Sequence, residues 1–365
     1  MKNRILNYYH LHEKRVDISF FLGGFIFDIF TLAEVNDPFS IIQQIIYLLI
    51  TGGILYYEYL LPVNYQAKNS LIRIFWEYKK LIFHFCLGSL ISIYSLYFLI
   101  SASFFTSLVF VLFLLLMLVA NEIKFIQDGQ VNIKLSLYAI VLFCFFSMMW
   151  PIILGFVGIT PFLLSIVTTC VTIYFAYKLL VKNYHTEEEA VKIRKKVLAP
   201  SFSVILIFVI FYFLGWIPPV PLSVQNMGIY HHIEKKENTY YLQHQNPWWR
   251  FWQKGDQEFI AEPGDRIYFF AKISSPAGFN DEIILHWYTY LPNSGWQSTD
   301  KVQMNVKGGR SEGYRGFSVK QNYSEGKWRV SVETTDSREI GRLYFEVKKV
   351  NTQSTSPREF LTVLE

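Results

Sequence analysis

Two hydrophobic periods divide this chain. Up to about residue 217, apolar residues run in long blocks, and beyond it they alternate with polar ones at every second position. A helix needs about 20 apolar residues to cross roughly 30 Å of hydrocarbon. Seven stretches approach that length, at about 16–34, 39–61, 80–100, 102–120, 134–156, 160–181 and 199–217. The first is the weakest, because Asp17, Asp28 and Glu34 interrupt it; the others are rich in Leu, Ile and Phe. Pro218, Pro219 and Pro221 then end the helical pattern and make a stiff exit.

Beyond the prolines the pattern is that of strands. In KWRVSVE, Trp328, Val330 and Val332 alternate with Arg329, Ser331 and Glu333. GRLYFEV repeats this with Leu343, Phe345 and Val347, and DRIYFFAKI offers Ile267, Phe269, Ala271 and Ile273. Further strands are predicted near 228–234, 239–245, 283–291, 296–306 and 314–320, separated by turn signals such as EPGD, LPNSG and VKGG. Seven or eight short strands without crossover helices predict an antiparallel sandwich. The fold expected is an α-helical polytopic membrane domain of about seven transmembrane helices, followed by an all-β, immunoglobulin-like sandwich domain. Residues 1–15 read as a tail, 16–217 as the membrane domain and 218–256 as an exit linker with first strands and a Trp-rich insert. Residues 257–350 read as the sandwich core and 351–365 as a C-terminal tail.

Charge adds an orientation. Lys and Arg are retained on the cytoplasmic side of membrane proteins. Sixteen of them fall in one set of connections: Lys2 to Arg15 in the tail, the segments around Lys68–Lys80 and Lys124–Lys134, and Lys178–Lys196. The alternate turns near 35–39, 101–103 and 157–161 contain none. The N terminus is therefore expected inside, and an odd number of spans puts residues 218–365 outside, a multi-pass arrangement. The net charge of +5 belongs mostly to the membrane half, which points to topology and not to nucleic acid. In the last basic loop, HTEEEAVKIRKK fits a short capped surface helix or a solvated linker, and the linker is preferred.

Candidate chemistry is sparse. Cys86, Cys144 and Cys170 all lie in apolar segments, so disulfides and Cys-based zinc sites are excluded from the β half. Asp28 is the deepest intramembrane carboxylate, either a structural polar contact or part of a proton or substrate path. His231 and His232 are neighbours in a strand and point to opposite faces, so they do not chelate a metal together. His286 shares a face with Ile284, Tyr288 and Tyr290. No nucleophile motif or phosphate loop is present, and no enzyme activity, cofactor or metal is expected. The run NPWWRFWQKG groups Trp248, Trp249, Phe251 and Trp252 around Arg250. It suits a membrane-interface anchor, a stacking surface for sugars or peptides, or core packing. Arg315 and Arg329 pair with carboxylates, stack on aromatics or sit on a solvated strand face.

The runs LHWY at 285–288, YRGFS at 314–318, GKWRVSVE at 326–333 and LYFEV at 343–347 resemble the bacterial domain-of-unknown-function family 2914. The resemblance covers about residues 265–348 and extends in kind to FLGGFIFDIFTL, which is similar to the membrane part of multi-pass members. Its matching positions are His286, Trp287, Arg315, Ser318, Gly326, Trp328 and Arg329. What it implies is an envelope protein without an assigned activity. The function expected is binding or scaffolding of another envelope component, a protein, peptide or glycan, with the bilayer as a second partner. Trp248, Trp249, Arg250, Trp252, His286, Trp287, Arg315, Trp328 and Arg329 are the candidate binding residues. The alternative is a small-molecule or proton-coupled transporter or sensor that uses Asp28.

Overall fold

The computed structural model describes residues 34–61, 70–103, 105–122, 131–183, 187–247, 249–250, 252–308, 313–350 and 358–365. Seven helices lie among them: α1 Pro38–Leu60, α2 Ser70–Glu77, α3 Lys79–Ile100, α4 Leu108–Glu122, α5 Val131–Leu154, α6 Ile159–Val181 and α7 Glu187–Phe213. Five, α1, α3, α5, α6 and α7, contain stretches long and apolar enough to cross a membrane. The predicted span at 16–34, with Asp17 and Asp28, lies outside the described residues.

Two helices depart from the expected pattern. The block at 102–120 becomes α4 only from Leu108, and its 15 residues extend about 22 Å at 1.5 Å per residue. Polar residues cause the delay: the Ser103 carbonyl accepts from the amides of Thr106 and Ser107, turning the chain before the helix begins. The basic segment preferred as a linker is instead helical, because α7 runs unbroken from Glu187 to Phe213. From Glu187 to Ala199 it holds no Gly or Pro to stop it.

The chain divides into two compact units. The first holds described residues up to Tyr97, with 113–145 and 172–204. Some of its buried polar groups pair within it, while both polar atoms of the Gln44 side chain are buried without a hydrogen-bond partner. Glu58 on α1 meets Lys134 on α5 at 3.2 Å and Lys79 at 3.7 Å. His84 Nδ1 lies 2.7 Å from Asn121 Oδ1, and Asn121 donates to the His84 carbonyl at 3.1 Å. Leu116 and Phe175 keep their side chains on the outside, a surface suited to hydrocarbon rather than water.

The second unit comprises residues 98–112, 146–171 and 205–365. Eleven strands are described in it: β1 Ser223–Tyr230, β2 His232–Lys236, β3 Thr239–His244, β4 Glu258–Ala261, β5 Ile267–Ser274, β6 Asn280–Leu291, β7 Gly295–Lys307, β8 Tyr314–Lys320, β9 Gly326–Thr334, β10 Glu339–Lys349 and β11 Leu361–Leu364. A five-stranded sheet of order β4-β10-β9-β6-β7 packs on a three-stranded sheet of order β1-β5-β8. The alternating residues Ile283, Leu285 and Trp287 of β6 and Trp328, Val330 and Val332 of β9 fill the interior with Phe269 and Ile273 of β5. This is a β-sandwich, and strict alternation is its cause.

A third sheet, β11-β3-β2, was not legible as such in the pattern. The predicted strand at 228–234 is in fact two strands that belong to different sheets, broken at His231. Leu242 and Ile233 of the third sheet cover Phe270 on the outer side of β5, forming a second apolar cluster. The segment expected as a C-terminal tail supplies β11, which pairs antiparallel with β3. Arg358 anchors it by a two-toothed pair to Asp265, at 2.7 and 2.9 Å. β4, only four residues long, pairs in parallel with β10.

Within this unit the helix ends and connecting loops carry the sandwich. Tyr212 near the end of α7 donates to Asp336 in the β9–β10 turn at 2.7 Å. Burial alone would raise the Asp336 carboxyl, but Arg338, Thr334 and Tyr212 outweigh it and hold the pKa below the usual value. Ser103 donates to Glu339, and the Val157 amide donates to Asp281 at 2.8 Å. Gly155 holds φ +79°, and its carbonyl accepts from the Asn280 amide at 2.8 Å. A Cβ there would come 2.8 Å from the Gly278 carbonyl, so glycine permits both the turn and the approach.

The core makes a direct prediction. Trp287 is 1% exposed, and removing its indole in Trp287→Ala should destabilise the sandwich by about 3–5 kcal/mol. Urea unfolding of the purified protein, followed by near-ultraviolet circular dichroism, measures this; a loss below about 1 kcal/mol would contradict the packing described.

Candidate functional site

The period of two that buries Trp287 turns its neighbours outward, so β6 presents Ile284, His286, Tyr288 and Tyr290 on the outer face of the five-stranded sheet. β9 presents Arg329, Ser331 and Glu333 beside them, with Arg329 opposite Tyr288. On the other side β7 brings Trp296 opposite Tyr290 and Ser298 opposite Tyr288. A register shift between Trp287 and Tyr288 sets this pairing, leaving Lys301 opposite His286.

Arg329 is the centre of this face. Its guanidinium lies 4.1 Å from the centroid of the Tyr288 ring and 5.0 Å from that of Trp296. Trp296 also meets Tyr290 edge-on at 5.3 Å and Tyr344 at 5.4 Å. Stacking a planar guanidinium between rings fixes its plane and removes water from its faces. Its Nε is buried without a hydrogen-bond partner, and no carboxylate pairs with it among the described residues. Nearby cations differ, since Arg342 is held by Glu339.

Beside Arg329 lies a polar chain. His286 Nε2 is 2.7 Å from Ser298 Oγ, and its Nδ1 is 2.6 Å from Tyr288 Oη and 3.2 Å from Glu333. One assignment satisfies the whole set: Nδ1 carries the proton and Ser298 donates to Nε2. Burial, with the Glu333 carboxylate, pushes the Tyr288 hydroxyl pKa up, so Tyr288 remains a donor to Glu333 at 3.3 Å. The hydroxyl, imidazole and carboxylate follow the order of a nucleophile relay. His286 and the Glu333 carboxylate are largely covered, so the chain acts to orient Ser298, its exposed end.

The candidate residues thus separate. His286 and Arg329 belong to the face. Trp287 and Trp328 do not, because both are core, 1% and 2% exposed, with the Trp287 indole N–H donating to Ser318 at 3.2 Å. Arg315 lies on β8 in the other sheet, its guanidinium 5.5 Å from the Tyr240 ring centroid. Trp248 and Phe251 lie outside the described residues. Trp249 and Trp252 are 49% and 61% exposed, which removes core packing as their role. Arg250 lies 4.9 Å over Trp249 and 3.8 Å from Glu258. Sequence reasoning placed Tyr288 and Tyr290 beside His286 but missed Trp296, Ser298, Lys301 and Glu333 as members. Their signal was the alternation of each strand, which is useful only once the register is known.

No group of three His, Cys, Asp or Glu suited to a metal occurs among the described residues. A buried ionisable cluster does occur. His231 Nε2 lies 3.5 Å from Asp256 and its Nδ1 3.9 Å from Asp265, with the ring stacked on Phe259 at 4.1 Å. Burial lowers His231 to about 4, with Asp265 opposing and Arg358 and His244 assisting. Burial likewise raises Asp256 to about 6, against the amides of Gln245 and Asn246. His232 is exposed on the opposite side, as alternation predicts.

The β-sandwich with an aromatic and cationic outer face, preceded by apolar helices, defines the class of protein. Residues 280–347 match the family model described as "Protein of unknown function (DUF2914)", in the C-terminal region where the sequence resemblance lies. That match runs from the start of β6 almost to the end of β10 and contains the whole face. The search of curated proteins found no match. Among solved structures, an immunoglobulin-like protein from Pseudomonas aeruginosa is 15% identical, covering 35% of this chain and 98% of that one, with a TM-score of 0.22. A β-glucosidase from Listeria innocua in complex with glucose is 11% identical, covering 26% of this chain and 15% of that one, with a TM-score of 0.21. An alkylpurine DNA glycosylase from Pseudomonas fluorescens is 9% identical, covering 84% and 77%, with a TM-score of 0.22.

The buried pair predicts opposite pH dependences. Below its ordinary pKa of 6.5 and down to about 4, His231 takes a proton only when unfolded, so it removes stability as pH falls. Asp256 holds a proton only when folded between 3.8 and about 6, so it adds stability as pH falls. The two offset each other in the intact protein. Asp256→Asn should therefore lose stability from pH 6 to pH 4, and His231→Gln should gain it, each by up to about 1.4 kcal/mol per pH unit. Denaturant midpoints across that range test this, and parallel profiles for the two variants would refute it.

Proposed function

We propose that this chain is a multi-pass protein of a bacterial inner membrane, with its N terminus in the cytoplasm and its β-sandwich on the outer side. In this reading the sandwich binds or scaffolds another envelope component, and the outer face of β6, β7 and β9 is the binding surface. The observation that carries it is Arg329, stacked between Tyr288 and Trp296 with no acidic partner among the described residues. Trp, Tyr and Arg are the residues that dominate binding energy at interfaces, because they bury much area with little lost freedom. The five apolar helices and the one-sided distribution of Lys and Arg support the membrane part.

Binding takes precedence over transport because the charged groups covered by packing among the described helices are paired. Glu58 is neutralised by Lys134 and Lys79, and His84 is bonded to Asn121. The reading assigns no catalysis and needs no cofactor. Exposed Trp249 and Trp252 serve it as amphipathic rings for the membrane interface or as a second contact surface.

Topology is tested first. An alkaline phosphatase reporter fused after Glu365 should be active, and one fused near Glu188 inactive; the reverse pattern would sink the orientation. The binding face is tested by a photo-crosslinker at Tyr290 in intact cells. Specific adducts should form there and be lost in Arg329→Gln, and adducts unaffected by that change would count against the face.

A further inference from the structure

The same face carries a statement about ligand class, and it rests on the binding reading above. Charges on its strands fall into satisfied and unsatisfied groups. Glu333 is engaged by His286 and Tyr288, Arg342 is paired with Glu339, and Glu346 stands opposite Lys327 across the β9–β10 ladder. Among the described residues Arg329 and Lys301, flanking β6 on either side, form no ion pair, and neither do Lys307 on β7 and Lys348 on β10. The face is therefore electropositive where its rings are, and it complements an anion.

The shape around those cations narrows the class. Trp296 and Tyr290 meet edge to face at 5.3 Å, and Tyr290 is exposed. Flat rings of this kind accept the C–H faces of a sugar ring, which are apolar, while its rim of hydroxyls seeks donors and acceptors. Such groups stand beside the rings: the Ser298 hydroxyl is exposed, and His286 fixes its orientation at 2.7 Å. An extended peptide would instead take its main-chain bonds from the free edge of β7.

We infer that the outer face of β6, β7 and β9 binds an acidic saccharide, with Trp296 and Tyr290 stacking on sugar rings and Arg329 and Lys301 pairing with ring carboxylates. Arg329 is the anchor, because its guanidinium is already oriented and stripped of water on its faces, so it loses little freedom on pairing. Lys301, exposed on the edge strand, contributes a weaker and more salt-sensitive attraction.

The test uses the full-length protein in nanodiscs and two probes of matched length, polygalacturonate fragments and neutral dextran. Polygalacturonate should bind and dextran should bind at least about tenfold more weakly, with affinity falling as salt is raised. Arg329→Gln and Trp296→Ala should each lose about tenfold or more, as expected for removal of an anchor, and Lys301→Gln should lose about threefold. Arg329→Lys should not restore binding, because a point charge does not keep the stacked plane. Unchanged urea midpoints would show that the variants are folded, and Lys235→Gln, an exposed cation on β2 of the third sheet, should bind as the unaltered protein does. Equal affinity for dextran, or polygalacturonate binding indifferent to Arg329 and Trp296, overturns the inference. If polygalacturonate fails to bind while the Tyr290 crosslinker captures a protein in an Arg329-dependent way, the saccharide class is wrong and the binding face stands. If neither probe nor crosslink depends on Arg329, both fall.

Discussion

Burial of the Trp287 indole between the two main sheets is the contact on which the C-terminal half of the chain depends. The ring packs against Phe269 of one sheet and Phe345 of the other, each with centroids 6.2 Å away. Its one polar atom is satisfied by Ser318 on β8, across the interior. A strand places successive side chains on opposite faces, so a buried Trp287 forces His286 and Tyr288 to the outer surface. A slip of one residue would exchange the two sets, turning the His286 imidazole away from Ser298 and Glu333 into the apolar interior and the indole out of it. The core and the outer face of β6, β7 and β9 are two consequences of one register.

That register also explains how the face is held in place. Arg329 and Glu333 are positioned by Trp328, Val330 and Val332, which alternate with them on β9 and are all in the core. Trp296 sits just after the β6–β7 turn, where the ladder can fold its ring over Arg329. Stacking rings and a pre-oriented guanidinium reduce the conformational freedom that binding would otherwise remove. The face therefore couples tightly to the packing beneath it and requires no loop to close.

The second unit is not only a sandwich, since the helix-end segments belong to it. The β9–β10 turn meets the end of α7 through Asp336 and Tyr212, and the start of β6 meets the turn after α5 through Asn280 and Gly155. Arg342, next but one to Tyr344 on β10, lies 5.1 Å from the Phe105 ring between α3 and α4. Since Tyr344 also contacts Trp296, packed groups run from the face to the helix connections. These are charge-assisted and stacked contacts rather than a flexible tether.

Sequence alone determined the two regimes of this chain and the identity of its strands. Long apolar blocks and strict alternation are local properties, so α1, α3, α5 and α6, and strands such as β9 and β10, were readable directly from residues such as Trp328, Val330 and Val332. The family match at 280–347 was readable for the same reason, through LHWY and GKWRVSVE. Tertiary structure decided the rest. Trp287 and Trp328 count among the candidate binding residues in the sequence, and only packing shows them to be core. The late start of α4, the break at His231 and the conversion of the tail into β11 each follow from hydrogen bonds to distant or turn residues. The aromatic and cationic face joins residues from three strands, 286 to 333 in sequence, and depends on a register shift at Tyr288. Periodicity says which way a side chain points, but which neighbours it meets there depends on strand pairing, and pairing is settled only when the whole core is buried.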